Sequence, residues 1–284
     1  MKVKKWIPWL FVTPALIFFT IFTLYPIIAS FIISFQTGIG QNKQFSGLTN
    51  YIRLLEDETF WVSLKNTAVL LVVHVPSVVI LSLIIAVALN RKSLKFKGIF
   101  RVLFYLPAVT SLTAYSILFS VMLKDNGLFN SILNTIGIES IGWLSTTTWS
   151  KPSIIIAMTW RWLGYYMVIF LAALQTIPES IYEAAQIDGA GKIRQFFSIT
   201  MPSVKPIILF TTILSTINVL QLFVEPYTLT NKGQPANSTM TFGLYIYQNA
   251  FSYYDFGYAS AIAYVVALLV VVLSVIQFKV TGDE

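Results

Sequence analysis

The chain has 284 residues, 56% of them hydrophobic and 11% charged, and it contains no cysteine. That is more apolar surface than a soluble core of this length hides, so the composition excludes an ordinary water-soluble domain and implies a membrane protein. The missing cysteines exclude disulfides and thiolate metal sites, and the net charge of +7 requires no nucleic acid, because the basic residues cluster where membrane topology places them.

Six stretches are apolar and long enough to cross a bilayer: about 7–35, 67–89, 99–122, 153–175, 203–224 and 257–280. Each must be helical, since backbone groups in lipid are satisfied only within the segment. The first follows Lys2, Lys4 and Lys5, as a signal peptide would. Its apolar run is too long, however, and shows no small-residue cleavage site before the polar loop starting near Gln36. It reads as a retained span, kinked or broken by Pro14 and Pro26. In the outer loop that follows, Glu56, Asp57 and Glu58 read as a wet acidic surface. The second span holds the single histidine, His74, as a satisfied packing residue, since one imidazole makes neither a metal site nor a proton relay. Arg91, Lys92, Lys95, Lys97 and Arg101 then crowd a short loop.

Beyond Pro107 in the third span, Thr110, Ser111 and Thr113 are weak candidates for a substrate path, because hydroxyls readily bond back to their own helix. The fourth span carries Trp160, Arg161, Trp162, Gly164, Tyr165 and Tyr166 within two helical turns. Aromatic platforms beside hydrogen-bonding groups suit a sugar, with its apolar ring faces and outward hydroxyls. Arg161 is costly there unless it faces water, a partner or substrate. In the fifth span Asn218, Gln221 and Glu225, three and four residues apart, fall on one broad helical face and either glue helices together or line the path. Lys192, Arg194 and Lys205 follow the fourth span and Lys279 closes the sixth, so alternation puts all the dense basic clusters and both termini on the cytoplasmic side.

Between the fourth and fifth spans, about 176–202, lies a polar island. Pro178 can open a helix there, with Thr176 near enough to cap it. On that helix Tyr182, Ala185 and Gln186 share a face, Ala184 and Ala185 permit close approach of a partner, and Gly189 and Gly191 end it. No nucleotide-cradling loop, metalloprotease helix or nucleophile elbow occurs anywhere. The chain reads as no enzyme, and any energy must come from another subunit.

The island has a specific spacing: Glu183-Ala184-Ala185, three residues, Gly189, nine residues, Ile199, one residue, then Met201-Pro202. It resembles the EAA loop of membrane subunits of bacterial ATP-binding-cassette importers, departing only by Met201 for leucine, a volume-conserving change. Trp9-Leu-Phe-Val-Thr-Pro-Ala, Phe100-Arg-Val-Leu-Phe-Tyr-Leu-Pro, Trp162-Leu-Gly-Tyr-Tyr and Leu229-Thr-Asn-Lys-Gly extend the resemblance to the carbohydrate-uptake branch, and to the first permease of the maltose or oligosaccharide type without its large outer domain.

That resemblance implies a single permease domain over 1–284 with the type I importer fold, all-α and polytopic, with six transmembrane helices and both termini cytoplasmic. It implies residence in the bacterial inner membrane, pairing with a second homologous permease, two ATPase subunits that bind ATP and Mg, and an extracytoplasmic sugar-binding protein, with no cofactor held by this chain. Glu183, Ala184, Ala185, Asp188, Gly189, Ala190 and Gly191 would couple to the ATPase, with Phe196 and Phe197 anchoring the second half of the loop. Trp160, Arg161, Trp162, Gly164, Tyr165, Tyr166, Asn218 and Gln221 would line the path. Two alternatives stand beside an oligosaccharide: glycerol-3-phosphate or another phosphorylated polyol, which Arg161 would suit, and an ion-coupled secondary transporter using His74 or Glu225.

Overall fold

The computed structural model describes residues 7–38, 43–91 and 94–282; Lys2, Lys4, Lys5 and Lys92 lie outside the described residues. Helices follow in the order α1 (Ile7–Phe19), α2 (Tyr25–Ser34), α3 (Thr49–Glu56), α4 (Glu58–Asn90), α5 (Lys97–Val109), α6 (Leu112–Met122), α7 (Leu128–Thr135), α8 (Thr147–Gln175), α9 (Glu179–Ile187), α10 (Lys192–Gln195), α11 (Met201–Leu220), α12 (Val224–Thr228), α13 (Phe242–Tyr247) and α14 (Phe256–Gly282). One short hairpin, β1 (Gln36–Thr37) against β2 (Gln44–Phe45), is antiparallel with Gln36 opposite Phe45. The architecture is all-α and polytopic: among the described residues five segments are long and apolar enough to span a membrane, and α5 with α6 makes a sixth if that bent pair is one span.

Two compact units are described separately. The first holds the described residues of Met1–Phe60 with Tyr245–Ala267. Here α1 and α2 form one apolar rod through a π-helical turn at Thr20–Leu24, where the Tyr25 N–H reaches back to the Thr20 carbonyl. Pro26 has no N–H to offer the Phe22 carbonyl, and the ladder widens by one residue at that point. The proline therefore neither breaks the span nor ends it.

Helix α3 folds back onto the end of this rod. Asn50 Nδ2 donates to the carbonyls of Ser34 (2.9 Å) and Gln36 (2.8 Å), and the Tyr51 and Ser34 hydroxyls lie 2.7 Å apart. Asp57, expected to be mere wet surface, is instead a clamp. Its Oδ1 accepts the N–H groups of Thr59 (2.8 Å) and Phe60 (3.3 Å), capping α4, while Oδ2 accepts the hydroxyls of Tyr245 and Tyr258. Burial alone would raise the Asp57 pKa, but these four donors outweigh it and hold the carboxyl below its usual value. Burial and the facing carboxylate push the Tyr245 hydroxyl up to about 12.

The second unit, the described residues of Trp61–Leu244 with Leu268–Glu284, centres on α4, α8 and α11. Val78, Leu83 and Leu89 of α4 pack on Met167, Phe170 and Leu174 of α8 and on Val204 of α11. In lipid such contacts stabilise by close packing more than by excluding water. Gly164 shows how close: a Cβ there would lie 1.7 Å from the Phe104 carbonyl oxygen of α5.

The third span departs from the continuous helix expected over 99–122. It bends by 99° between α5 and α6. Thr110 and Ser111 take extended backbone with ψ of 152° and 136°, and the Thr110 hydroxyl donates back to the Pro107 carbonyl at 2.7 Å. The fifth span starts earlier than expected, at Lys192, and is also interrupted. A π-helical turn at Phe196–Thr200 precedes Pro202, with the Met201 N–H on the Phe196 carbonyl, which repeats the arrangement before Pro26.

Gly164→Val should force α5 and α8 apart and lower thermal stability in detergent by roughly 1–3 kcal/mol or more. Gly98→Ala, where a Cβ meets nothing within 4 Å, should be neutral or stabilising by up to about 1 kcal/mol. Equal melting temperatures for the two variants would contradict this packing.

Candidate functional site

Between the fourth and fifth spans the chain leaves the bundle through α9. Thr176 closes the preceding helix, its hydroxyl donating to the Ala173 carbonyl at 2.8 Å, and Pro178 stands in the cap position of α9. The expected cap from Thr176 is therefore not made: the hydroxyl is already bonded backwards. The far end of α9 is a Schellman turn. The Gly189 N–H bonds the Gln186 carbonyl (3.0 Å) and the Ala190 N–H bonds the Ala185 carbonyl (2.8 Å), with Gly189 at φ +76°. Gly191 instead has φ −67° and caps α10, while Gln195 Nε2 bonds the Ala190 carbonyl at 2.8 Å. Only Gly189 needs the left-handed freedom of glycine.

The faces of α9 divide cleanly. Tyr182 and Ala185 turn inward, and the Tyr182 hydroxyl lies 2.9 Å from that of Thr200. Glu183, Ala184, Ile187 and Asp188 face outward and are exposed. Phe196 packs into the core of α4 and α8, whereas Phe197 is exposed, so one of the two expected anchors points away. Behind α9 a cleft of about 1090 Å³ opens, with Arg91, Leu174, Glu179, Tyr182, Lys192 and Phe196 on its walls.

A second cluster surrounds the middle of α8. The rings of Trp162 and Tyr165 lie 5.7 Å apart, those of Tyr165 and Tyr166 5.4 Å, and those of Trp162 and Tyr166 6.3 Å. Asn218 Nδ2 of α11 donates to the Tyr166 hydroxyl at 3.2 Å. Four residues singled out from sequence thus meet: two half-buried aromatic rings, a phenol and an amide. Trp160 lies elsewhere, its ring 5.2 Å from that of Phe119, and Gly164 faces α5. Gln221 caps the end of α11 with an exposed side chain. Helix α11 stops there because the Leu222 carbonyl takes the Thr241 hydroxyl (2.6 Å) and Gly243 approaches the Gln221 and Leu222 carbonyls. Glu225 belongs to the separate helix α12, so the single face expected for Asn218, Gln221 and Glu225 does not form.

Arg161 is 6% exposed and fills the break between α5 and α6. Its Nη1 donates to the carbonyls of Pro107 (3.1 Å) and Thr110 (2.8 Å) and to the Thr110 hydroxyl (3.1 Å), and its Nη2 donates to the Ala108 carbonyl (3.3 Å). A cation suits the C-terminal end of a helix, where unpaired carbonyls concentrate negative charge. The guanidinium carbon also lies 4.8 Å from the centre of the Tyr115 ring, and the Tyr115 hydroxyl donates to Glu225. Both residues are buried. Tyr115 was not singled out from sequence, and no local spacing could have linked it to a residue in α12. Gln277 was missed too: its Nε2 donates to the Thr216 hydroxyl at 2.8 Å, and a lone amide in the last apolar run was its only signal. His74 is buried with Nδ1 3.0 Å from the Thr159 hydroxyl. Among the described residues no three metal-ligating side chains meet.

Residues 66–280 match the family described as binding-protein-dependent transport system inner membrane component. Over 280 residues the chain is 50% identical to the lactose transport system permease protein of Rhizobium radiobacter, covering 97% of this chain and 94% of that one. It is 36% identical over 282 residues to the arabinooligosaccharides transport system permease protein of Halalkalibacterium halodurans, covering 98% and 89%. Its fold superposes with a TM-score of 0.86 on a chain of a bacterial ABC transporter involved in the import of the acidic polysaccharide alginate, at 23% identity and with 98% and 95% covered.

Arg161→Lys keeps the charge but not the fork that reaches three carbonyls and a hydroxyl. Each buried carbonyl left unsatisfied costs about 1–3 kcal/mol, so this variant and Arg161→Gln should both lose thermal stability in detergent. A wild-type melting curve for Arg161→Gln would remove Arg161 from this structural role.

Proposed function

This chain belongs to the family of binding-protein-dependent transport system inner membrane components, and from that premise we propose that it is the permease subunit of an ATP-driven importer carrying a neutral di- or oligosaccharide into the cytoplasm. The observation that carries the reading is the 50% identity, along 97% of the chain, to a lactose permease. Residues 1–284 act as one permease domain in a bacterial inner membrane, with both termini cytoplasmic. The subunit pairs with a second permease and receives sugar from an extracytoplasmic binding protein.

Helix α9 couples this chain to an ATPase subunit, which with its twin binds ATP and Mg. Glu183 and Ala184 supply the contact face: one offers a charged acceptor, the other lets a partner backbone come close. Asp188 and the turn formed by Gly189, Ala190 and Gly191 hold α9 at a fixed angle to α10. A force on α9 then reaches α11 through the Tyr182 to Thr200 contact and the half-buried Phe196, so closure of the ATPases rocks the helices around the path.

On the path, Trp162 and Tyr165 offer ring faces for the apolar side of a pyranose, and Asn218, positioned by the buried Tyr166 hydroxyl, presents its amide to the sugar hydroxyls. Trp160, packed on Phe119, and Gln221, at the end of α11, stand outside this ring cluster, while Gly164 and Arg161 support it by packing and by shaping the bend in the third span. Because both Nη groups of Arg161 are engaged with backbone carbonyls and its remaining donor, Nε, is buried, a phosphate would not find the guanidinium fork waiting. That disfavours a phosphorylated polyol. Ion coupling is disfavoured as well, since His74 and Glu225 both have hydrogen-bond partners within the fold.

With the cognate partners reconstituted in vesicles, Glu183→Lys should reduce sugar uptake to background and weaken co-purification of the ATPase while the permease stays in the membrane. Normal uptake would end the coupling assignment. Trp162→Ala should lower uptake roughly two- to tenfold, the worth of about 0.5–1.5 kcal/mol for one aromatic platform, yet leave ATPase assembly intact. Unchanged uptake would take Trp162 off the path.

A further inference from the structure

Helix α3 buries the side chains of one face and exposes those of the other. On the inner face Asn50 and Leu54 are buried, 1% and 2% exposed, and Asn50 is bonded to the carbonyls of Ser34 and Gln36. Ser34 is the last residue of the first apolar span, and the second begins at Glu58, directly after the Asp57 cap. Helix α3 is thereby held at the depth where both spans meet the membrane surface. Its tilt is restrained as well: Arg53 pairs with Asp255 at 2.7 Å and stacks 3.9 Å over the Tyr258 ring.

On the outer face Leu48, Ile52 and Leu55 recur four and three residues apart, 61%, 58% and 65% exposed. Thr49, Arg53 and Glu56 occupy the neighbouring arc of the helix. We propose that α3 is an interfacial anchor, lying along the bilayer surface with Leu48, Ile52 and Leu55 set among the acyl chains and Thr49, Arg53 and Glu56 among the headgroups. The occupant of this face is lipid. The same unit already carries exposed apolar side chains along the first span, Ile28, Phe31 and Ile32 among them, and α3 is tied to the end of that span, beside a segment long and apolar enough to sit in lipid. The edge is also purely aliphatic, whereas protein docking patches are built around aromatic and arginine anchors. An anchor here would fix the depth of the first two spans while bundles rock.

Because the chain lacks cysteine, single cysteines are a clean probe. Leu48→Cys, Ile52→Cys, Leu55→Cys, Thr49→Cys and Glu56→Cys each replace an exposed side chain. Each full chain, spin-labelled and reconstituted in phosphatidylethanolamine and phosphatidylglycerol vesicles, is tested for collision with oxygen, which partitions into lipid, and with a water-soluble nickel chelate. Positions 48, 52 and 55 should collide severalfold more with oxygen and severalfold less with the chelate than positions 49 and 56. Equal chelate access at all five would place the face in water and overturn the proposal. Protection of 48, 52 and 55 from both agents would assign the face to a protein partner and overturn it equally. The readout does not depend on the sugar or the ATPase, so the transport reading stands or falls separately.

Discussion

A backbone that leaves its helical ladder inside a membrane has no water to bond, and that constraint shows at four irregular points among the described residues. Where α5 ends at the bend, the released carbonyls of Pro107, Ala108 and Thr110 go to Arg161. Where α11 stops, the Leu222 carbonyl takes the Thr241 hydroxyl. Before Pro26 and before Pro202 the ladder widens into a π-helical turn in place of breaking. The same logic places charge at helix ends: the acid Asp57 serves the N-terminus of α4 and the base Arg161 the C-terminus of α5.

These repairs decide what the rest of the molecule can do. Arg161 caps a helix, and in doing so it holds the bend of the third span against α8 and, through Tyr115, against Glu225 of α12. The aromatic cluster of Trp162, Tyr165 and Tyr166 is built on the same helix, one to five residues from that cap. On the proposed reading, a motion begun at α9 reaches the sugar path through helices whose breaks are pinned by side-chain hydrogen bonds.

Much of this was legible in the chain itself. Apolar run lengths located the spans. The Glu183 to Pro202 spacing marked the loop that carries α9, and the grouping of rings around Trp162 announced a cluster that does form. Other readings failed for identifiable reasons. Thr176 has two possible bonds and the structure uses the backward one. Phe196 and Phe197 are adjacent and so point to different sides, one into the core and one out. Asn218, Gln221 and Glu225 share a face only if the helix continues, and a hydroxyl nineteen residues beyond Leu222 is where it ends. Asp57 lies in an acidic run that looks solvated until two tyrosines from the far end of the sequence close on it.

What the sequence determined by itself was therefore periodic or local: which segments enter lipid, where an island must leave it, and that glycines end the helix of that island. These follow from run length, from proline and glycine geometry and from hydrogen bonds within a few residues. What only the tertiary structure decided was the long-range bonding of a few polar groups set inside the apolar segments. Arg161, Tyr115, Glu225, Asn218 and Gln277 all had to find partners in a medium that offers none, and those partners lie 51 to 110 residues away. Pairing at that range depends on how the helices pack, which no spacing along the chain encodes.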